Sequence, residues 1–507
     1  MKKLVVGLLT LATLGLLGAC GSDNEGVIRD KEEKLSIVTT FYPMYDFTKN
    51  IVGDEADVKL MIPAGTEAHD YEPSAKDMAT IHDADVFVYH NENMEMWVPK
   101  ARESWKKGKP NVVEGTKNMV LLPGGEEGHD HSHGEEDHHH ELDPHTWVSP
   151  KMAIKEVISI KEQLMEYYPE KAEIFKTNAE KYLTKLKQLD EDYTTSFKKA
   201  KQKSFVTQHA AFGYLALDYG LTQVPIAGLN PEQEPSSSRL AELKDYVQNN
   251  DIHYIYFEKN ANDKIAKTLA SETGVKLEVL NPLESLTKQQ MADGEDYISV
   301  MEANLKSLEK TTSIAGKEIT PEKAAERNKT VANGYFDDAD VRDRDLSDYA
   351  GDWQSVYPLL EDGSLDEVFD YKAKMNKDMT AEEYKKYYGT GYKTDVEAIH
   401  ITDNTIDFVV NGEHHKYTYK PAGHQILTYE KGNRGVRFNF ETDDVNAGRF
   451  KYVQFSDHGI APSKAAHFHI FFGSESQESL YDELNHWPTY YPNTLSKHEI
   501  AQEMLAH

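Results

Sequence analysis

Two hydrophobic patterns share this chain, and the change between them near Gly334 constrains the fold more than any single motif. Before that point, β-like runs at 35–40, 58–62, 85–89, 204–207, 252–257 and 277–280 alternate with amphipathic helical stretches. Such alternation predicts βαβ units on mostly parallel sheets. In the longest helical stretch, 169–200, Phe175, Ala179, Tyr182, Leu183, Leu186, Leu189, Tyr193 and Phe197 recur at three- and four-residue steps and form one apolar stripe. A helix of that length spans about 45 Å, enough to join two α/β lobes at about 35–165 and 203–310. Residues 311–328 are charged and carry no strand pattern, which predicts an interdomain linker. After Gly334 the β-like runs are short and frequent: 406–410, 415–419, 426–429, 436–440, 452–455 and 468–472. Asn411-Gly412 and Lys431-Gly432-Asn433 read as hairpin turns, and helical pattern survives mainly at 380–388 and 496–505. Residues 329–507 should therefore form a mostly-β domain, a small barrel.

Charge and cysteine usage narrow the setting. The net charge of −30 excludes a nucleic-acid partner, which needs a basic face. The single cysteine, Cys20, allows neither an internal disulfide nor a cysteine-based zinc site. It follows a positive pair, Lys2 and Lys3, and an apolar run over 4–17, a secretory signal too short to span a membrane. Leu17-Gly18-Ala19-Cys20 resembles a bacterial lipobox, in which the cysteine receives a diacylglyceryl group and becomes the mature N-terminus. Two acyl chains suffice for stable anchoring. The expectation is a signal peptide over 1–20, a polar tether over 21–34, and a protein held on the outer face of the cell membrane through Cys20.

Histidines carry the chemistry. His129, His131, His133, His138, His139 and His140 crowd into one tract with Glu135, Glu136 and Asp137. Imidazole is the commonest metal ligand, and a tract of this composition buries nothing, so it predicts a metal-collecting loop. Elsewhere, His69, His209 and Glu284 each follow a predicted strand, while His145 follows the histidine tract. Ligands of open α/β sheets bind beyond the carboxyl ends of strands, and three imidazoles with one carboxylate make a four-coordinate zinc site. In the β domain, His467 and His469 are two apart, which on a strand puts both on one face, and His458 is near enough for a hairpin to bring it alongside. Three histidines with an open fourth position also suit zinc. An open site of that kind could serve a hydrolase, with Asp457 or Glu475 as the nearest base. No His-Glu-X-X-His or Gly-X-Ser-X-Gly motif is present, however, so no enzyme is expected.

Residues 35–310 resemble the ZnuA-like metal-binding lipoproteins of bacterial ABC importers. The resemblance rests on the run 65–73, Asp143-Pro144-His145-Thr146-Trp147, Gln208-His209-Ala210-Ala211-Phe212-Gly213-Tyr214, and Tyr297-Ile298 with Met301 and Asn304. It implies two α/β lobes joined by a long helix, metal between the lobes, and His69, His145, His209 and Glu284 as ligands. Manganese-binding members carry carboxylates at both of the last two positions, so His209 points to zinc, in line with the preference of imidazole for that metal. Residues 329–507 resemble the zinc-binding ZinT family through Gly334-Tyr335-Phe336-Asp337-Asp338, Gly351-Asp352-Trp353-Gln354-Ser355-Val356-Tyr357-Pro358 and Trp487-Pro488-Thr489-Tyr490-Tyr491-Pro492. That family implies a calycin-like barrel with His458, His467 and His469 as ligands. Together the resemblances imply Zn2+ in each domain and extra weak binding by the histidine tract. The implied partners are an ABC zinc permease with its ATPase, and surface histidine-triad proteins. The alternative is a manganese-binding importer lipoprotein or adhesin.

Overall fold

The computed structural model describes residues 34–66, 68–105, 108–124, 142–226, 237–258, 264–317, 330–429, 432 and 434–506. Cys20, nearly all of the tether, the histidine tract, residues 318–328 of the expected linker, and Lys431 and Asn433 lie outside the described residues.

The first lobe holds β1 (Leu35–Thr39), β2 (Ala56–Leu60), β3 (Val86–Tyr89) and β4 (Asn111–Glu114) in the parallel order β2-β1-β3-β4. The second repeats the scheme with β5 (Ser204–Thr207), β6 (Thr222–Pro225), β7 (Tyr254–Phe257) and β8 (Lys276–Val279) in the order β6-β5-β7-β8. In each lobe the chain starts on an inner strand, steps to one edge, then crosses to the other side. The switch points therefore lie between β1 and β3 and between β5 and β7, which is where such sheets bind ligands. Strands buried on both faces read as continuous apolar runs, as β3 does with all four residues buried. β4 and β6 were not anticipated; each is four residues long, and β6 is only half-buried.

The long helical stretch forms one helix behind a short 3-10 turn, and a separate helix precedes it. A helix Pro150–Tyr167 is followed by a 3-10 turn, Pro169–Lys171, and then by a helix Ala172–Phe197 of 26 residues, about 39 Å long. Pro169 has no backbone N–H and disfavours helical geometry at Tyr168, which ends the first helix. The residues that Ala172–Phe197 buries are the eight of the predicted stripe. Tyr182 donates to Asp46 of the first lobe at 2.6 Å, and Tyr193 donates to the Met301 carbonyl of the second at 2.7 Å. One apolar cluster runs through both lobes along this strut. At the far end, Thr311 and Thr312 are still helical and buried.

The second domain is one nine-stranded antiparallel sheet. Its strands are β9 (Gly351–Ser355), β10 (Val396–Ile401), β11 (Thr405–Val410), β12 (Glu413–Thr418), β13 (Lys420–Thr428), β14 (Arg434–Glu441), β15 (Tyr452–Ser456), β16 (Phe468–Gly473) and β17 (Thr489–Pro492). The order β12-β11-β10-β9-β17-β16-β15-β14-β13 curls as a half-barrel around Tyr349, Trp353, Phe408, Phe438, Phe455 and Phe468. Asn411 and Gly412 take φ of 48° and 74° in the two-residue turn between β11 and β12, the left-handed geometry that a tight hairpin needs.

The two domains share a buried apolar cluster in which Met119, Leu122, Met152 and Tyr214 meet Phe369, Tyr371 and Met504. The contact is made by the second domain's helices Asp366–Asn376 and Lys497–Ala506. Gln502 closes on the Leu121 backbone like a strand partner: its Oε1 accepts from Leu121 N–H at 2.7 Å and its amide donates to the Leu121 carbonyl at 2.8 Å. Lys374 pairs with the buried Asp218 at 3.0 Å.

Candidate metal centres

The carboxyl ends of both parallel sheets face one crevice, and four side chains converge there. His69 lies in the loop after β2, His209 two residues past β5, and Glu284 in the loop after β8. His145 precedes the 3-10 turn Thr146–Val148. His69 Nε2 is 3.1 Å from His145 Nε2. Glu284 Oε1 lies 3.5 Å from His69 Nε2, 3.7 Å from His145 Nε2 and 3.5 Å from His209 Nε2. A tetrahedron with Zn–N and Zn–O bonds of about 2.0–2.1 Å has edges of about 3.3 Å, and these separations match such edges. His145, His209 and Glu284 are buried, whereas His69 is half-buried and faces the opening. His209 Nε2 and Glu284 Oε1 are both buried without a hydrogen bond. Buried polar atoms are normally satisfied, so these two point at something a cation supplies.

Two of the imidazoles are oriented from behind. Asp143 Oδ1 accepts both the backbone N–H of His145 at 3.0 Å and its Nδ1–H at 2.8 Å, which makes Nε2 the donor to metal. Glu258, the residue after β7, does the same for His209 Nδ1 through a short hydrogen bond. The residues flanking His145 are held as well: Pro144 accepts from His90 Nε2 at 2.6 Å, and Thr146 donates to Glu156 at 2.6 Å. Burial disfavours the protonated imidazole of His209, but the Glu258 carboxylate beside it prevails and raises its pKa to about 10. Burial also opposes ionisation of Glu284, yet His69, His145 and His209 around it hold its carboxyl well below the usual range. The crevice therefore favours positive charge, and a divalent cation displaces the protons that otherwise supply it.

In the second domain, His458, His467 and His469 bring ligand atoms within 4.8 Å of one another. His467 and His469 flank Phe468, which starts β16, and His458 follows β15 with its backbone at φ 64°. His469 Nδ1 donates to Thr489 Oγ1 at 2.7 Å, and His458 Nδ1 to the Ala332 carbonyl at 3.2 Å, leaving Nε2 of each for metal. His467 stacks on Tyr491 with ring centroids 5.0 Å apart. His458 is exposed and His469 half-buried, so this centre is open where the first is nearly closed. Asp457 is engaged elsewhere: both its oxygens accept from Arg344 Nη1 at 2.7 Å, which removes it as a base for metal-bound water.

All seven proposed ligands thus fall into two clusters, and these are the groups suited to a metal ion among the described residues. Glu258, His90 and Glu156 carry no motif of their own, whereas Thr489 lies within the run 487–492 with nothing there to single it out. Glu258 had one readable signal, a carboxylate directly past the predicted strand 252–257.

Two protein families match the chain. The one described as zinc-uptake complex component A, periplasmic, matches residues 37–311, and the ZinT (YodA) periplasmic lipocalin-like zinc-recruitment family matches residues 327–507. The zinc-binding lipoprotein AdcA of Streptococcus pneumoniae is 61% identical over 508 residues, covering 100% of both chains. The zinc-binding protein AdcA of Streptococcus pyogenes is 57% identical over 491 residues, 94% of this chain and 95% of that one. Among solved structures, Zn(II)-bound AdcA from Streptococcus pneumoniae aligns with a TM-score of 0.86 at 61% identity, covering 94% of this chain and 100% of that one.

Proposed function

The chain belongs to the AdcA family of zinc-binding lipoproteins, extracytoplasmic solute-binding proteins that acquire zinc for ABC-type importers, and we propose that His69, His145, His209 and Glu284 are the ligands of its delivery site. The observation that carries this reading is the convergence of four ligand atoms, all within 4.8 Å of one another, with Glu284 Oε1 3.5–3.7 Å from the three imidazole Nε2 atoms and His69 Nε2 3.1 Å from His145 Nε2. Three neutral imidazoles and one carboxylate favour zinc over manganese, which prefers oxygen ligands. The carboxylate removes one unit of the ion's charge, and Asp143 and Glu258 behind two imidazoles strengthen their donation. His458, His467 and His469 form an open second centre that takes up zinc and exchanges it readily. The histidines 129–140 serve as an auxiliary collector that raises the local concentration of zinc near the delivery site.

Anchoring through a lipid at Cys20 keeps the protein beside the membrane, where a permease and its ATPase receive the metal. Surface histidine-triad proteins fit as upstream donors, since the exposed second centre leaves a position for an incoming ligand. The test is native mass spectrometry of the metal-stripped chain titrated with Zn2+ in excess Mn2+. Two zinc ions are expected, falling to one in His145→Ala and to one in His467→Ala. Retention of manganese at the first centre, or a single zinc in the parent, would overturn the assignment.

A further inference from the structure

Tyr214 lies five residues past His209 and is fully buried. Its hydroxyl accepts from the Leu122 N–H at 2.8 Å and donates to the Asp143 carbonyl at 2.8 Å. Leu122 and Asp143 sit on the two sides of the stem that brackets residues 125–141; their backbones pair at 2.9 Å, and a bridge joins Pro123 to Leu142. A single hydroxyl on the second lobe therefore ties down both sides of a stem on the first. Packing is close there: a Cβ at Gly213 would lie 2.9 Å from Asp143 Oδ2. Asp143 is also the residue that orients His145, so displacement of Tyr214 is passed to a zinc ligand.

Tyr214 is held by the other domain. Its ring belongs to the interdomain cluster with Tyr371 and Phe369, and Tyr371 donates to the Met152 sulfur at 3.6 Å. Lys374 reaches Asp218, the last residue of the short helix that Tyr214 stands on, and Asp218 accepts from Ser149 near His145 at 2.6 Å. Gln502 grips Leu121, next to the stem. The second domain thus touches the stem, the helix after His209 and the helix after His145. These are the elements that set the spacing between His145 and His209, whose rings are 5.3 Å apart.

We propose that Tyr214 is a positioning residue for the delivery site and that docking of the second domain holds it in place, so that the second domain slows zinc release from the first. This rests on the ligand assignment above. The experiment uses the full chain with His467→Ala and His469→Ala, so that the first centre alone retains zinc. The zinc-loaded protein is mixed with excess EDTA and zinc loss is followed in time. Cobalt(II) absorption of the substituted site reports ligand geometry. Tyr214→Phe and the interface pair Tyr371→Ala with Lys374→Ala should each speed release by about fivefold or more and alter the cobalt band. Tyr371→Phe, which keeps the packing, should release at the parental rate. If the interface pair releases zinc and absorbs like the parent, the second domain has no part in the site, whatever Tyr214→Phe does. If Tyr214→Phe matches the parent, the positioning role falls. If His145→Ala releases zinc at the parental rate, the ligand assignment has failed instead.

Discussion

In the proposed assignment His209 separates this site from a manganese site, and Glu258, hydrogen-bonded to its Nδ1, leaves Nε2 to face the metal. Glu258→Gln keeps the shape but weakens that hold, and zinc affinity at the first centre should fall about 10- to 100-fold in chelator competition. An unchanged affinity would mean that His209 is oriented by packing alone. Asp46, buried under the strut, makes a separate prediction. Burial raises its carboxyl to about 6 from 3.8, despite the hydrogen bond from Tyr182. Between about pH 4 and 6 the folded protein keeps a proton that the unfolded chain releases, so this group's contribution to stability declines as pH rises through that window. Asp46→Asn still offers Tyr182 an acceptor and does not titrate. Its melting temperature, relative to the metal-free parent, should rise from pH 4 to pH 7; a constant difference would show that Asp46 is ionised throughout. The proposed ligands were legible because His69, His209 and Glu284 recur beyond predicted strands and His145 and His209 sit in distinctive local runs; Glu284 has no such run of its own. Glu258 was not legible, because its meaning lies in contact with a residue 49 positions away.

At the scale of elements, amphipathic period decided what could be read. The strut's stripe matched residue for residue because a 3.6-residue period over many turns leaves little ambiguity. Its expected start near Pro169 also matched, with the 3-10 turn Pro169–Lys171 leading into the helix. Among the strands of the second domain, β9, β10 and β17 went unseen. β9 opens with Gly and Asp, and β17 is four residues ending in proline, so neither carries enough alternation to stand out. The half-barrel is one continuous sheet because β9 pairs with both β10 and β17, a long-range property that no local run encodes. The histidine tract is an element of another kind, defined by composition alone. Deleting 129–140 should slow zinc capture at low zinc while leaving the equilibrium affinity of the first centre nearly unchanged, as measured by stopped-flow loading beside competition titration. A large loss of equilibrium affinity would make the tract part of the site.

At the scale of the whole molecule, the two domains are a docked pair. A protease site placed between residues 318 and 329 should, after cutting, yield fragments that still co-elute on gel filtration at physiological salt, because the apolar cluster and the Lys374–Asp218 pair remain. Separate elution would mean that the covalent connection, and not the interface, keeps the halves together. The grip of Gln502 on Leu121 also has a bearing on how the protein is made. The two residues are 381 positions apart, and synthesis adds about 5–20 residues each second, so about 20 to 80 s pass between their appearances. Through that interval Met119, Leu122 and Tyr214 stand uncovered on a lobe pair that is otherwise able to fold. The nascent first domain is thus a transient sticky surface.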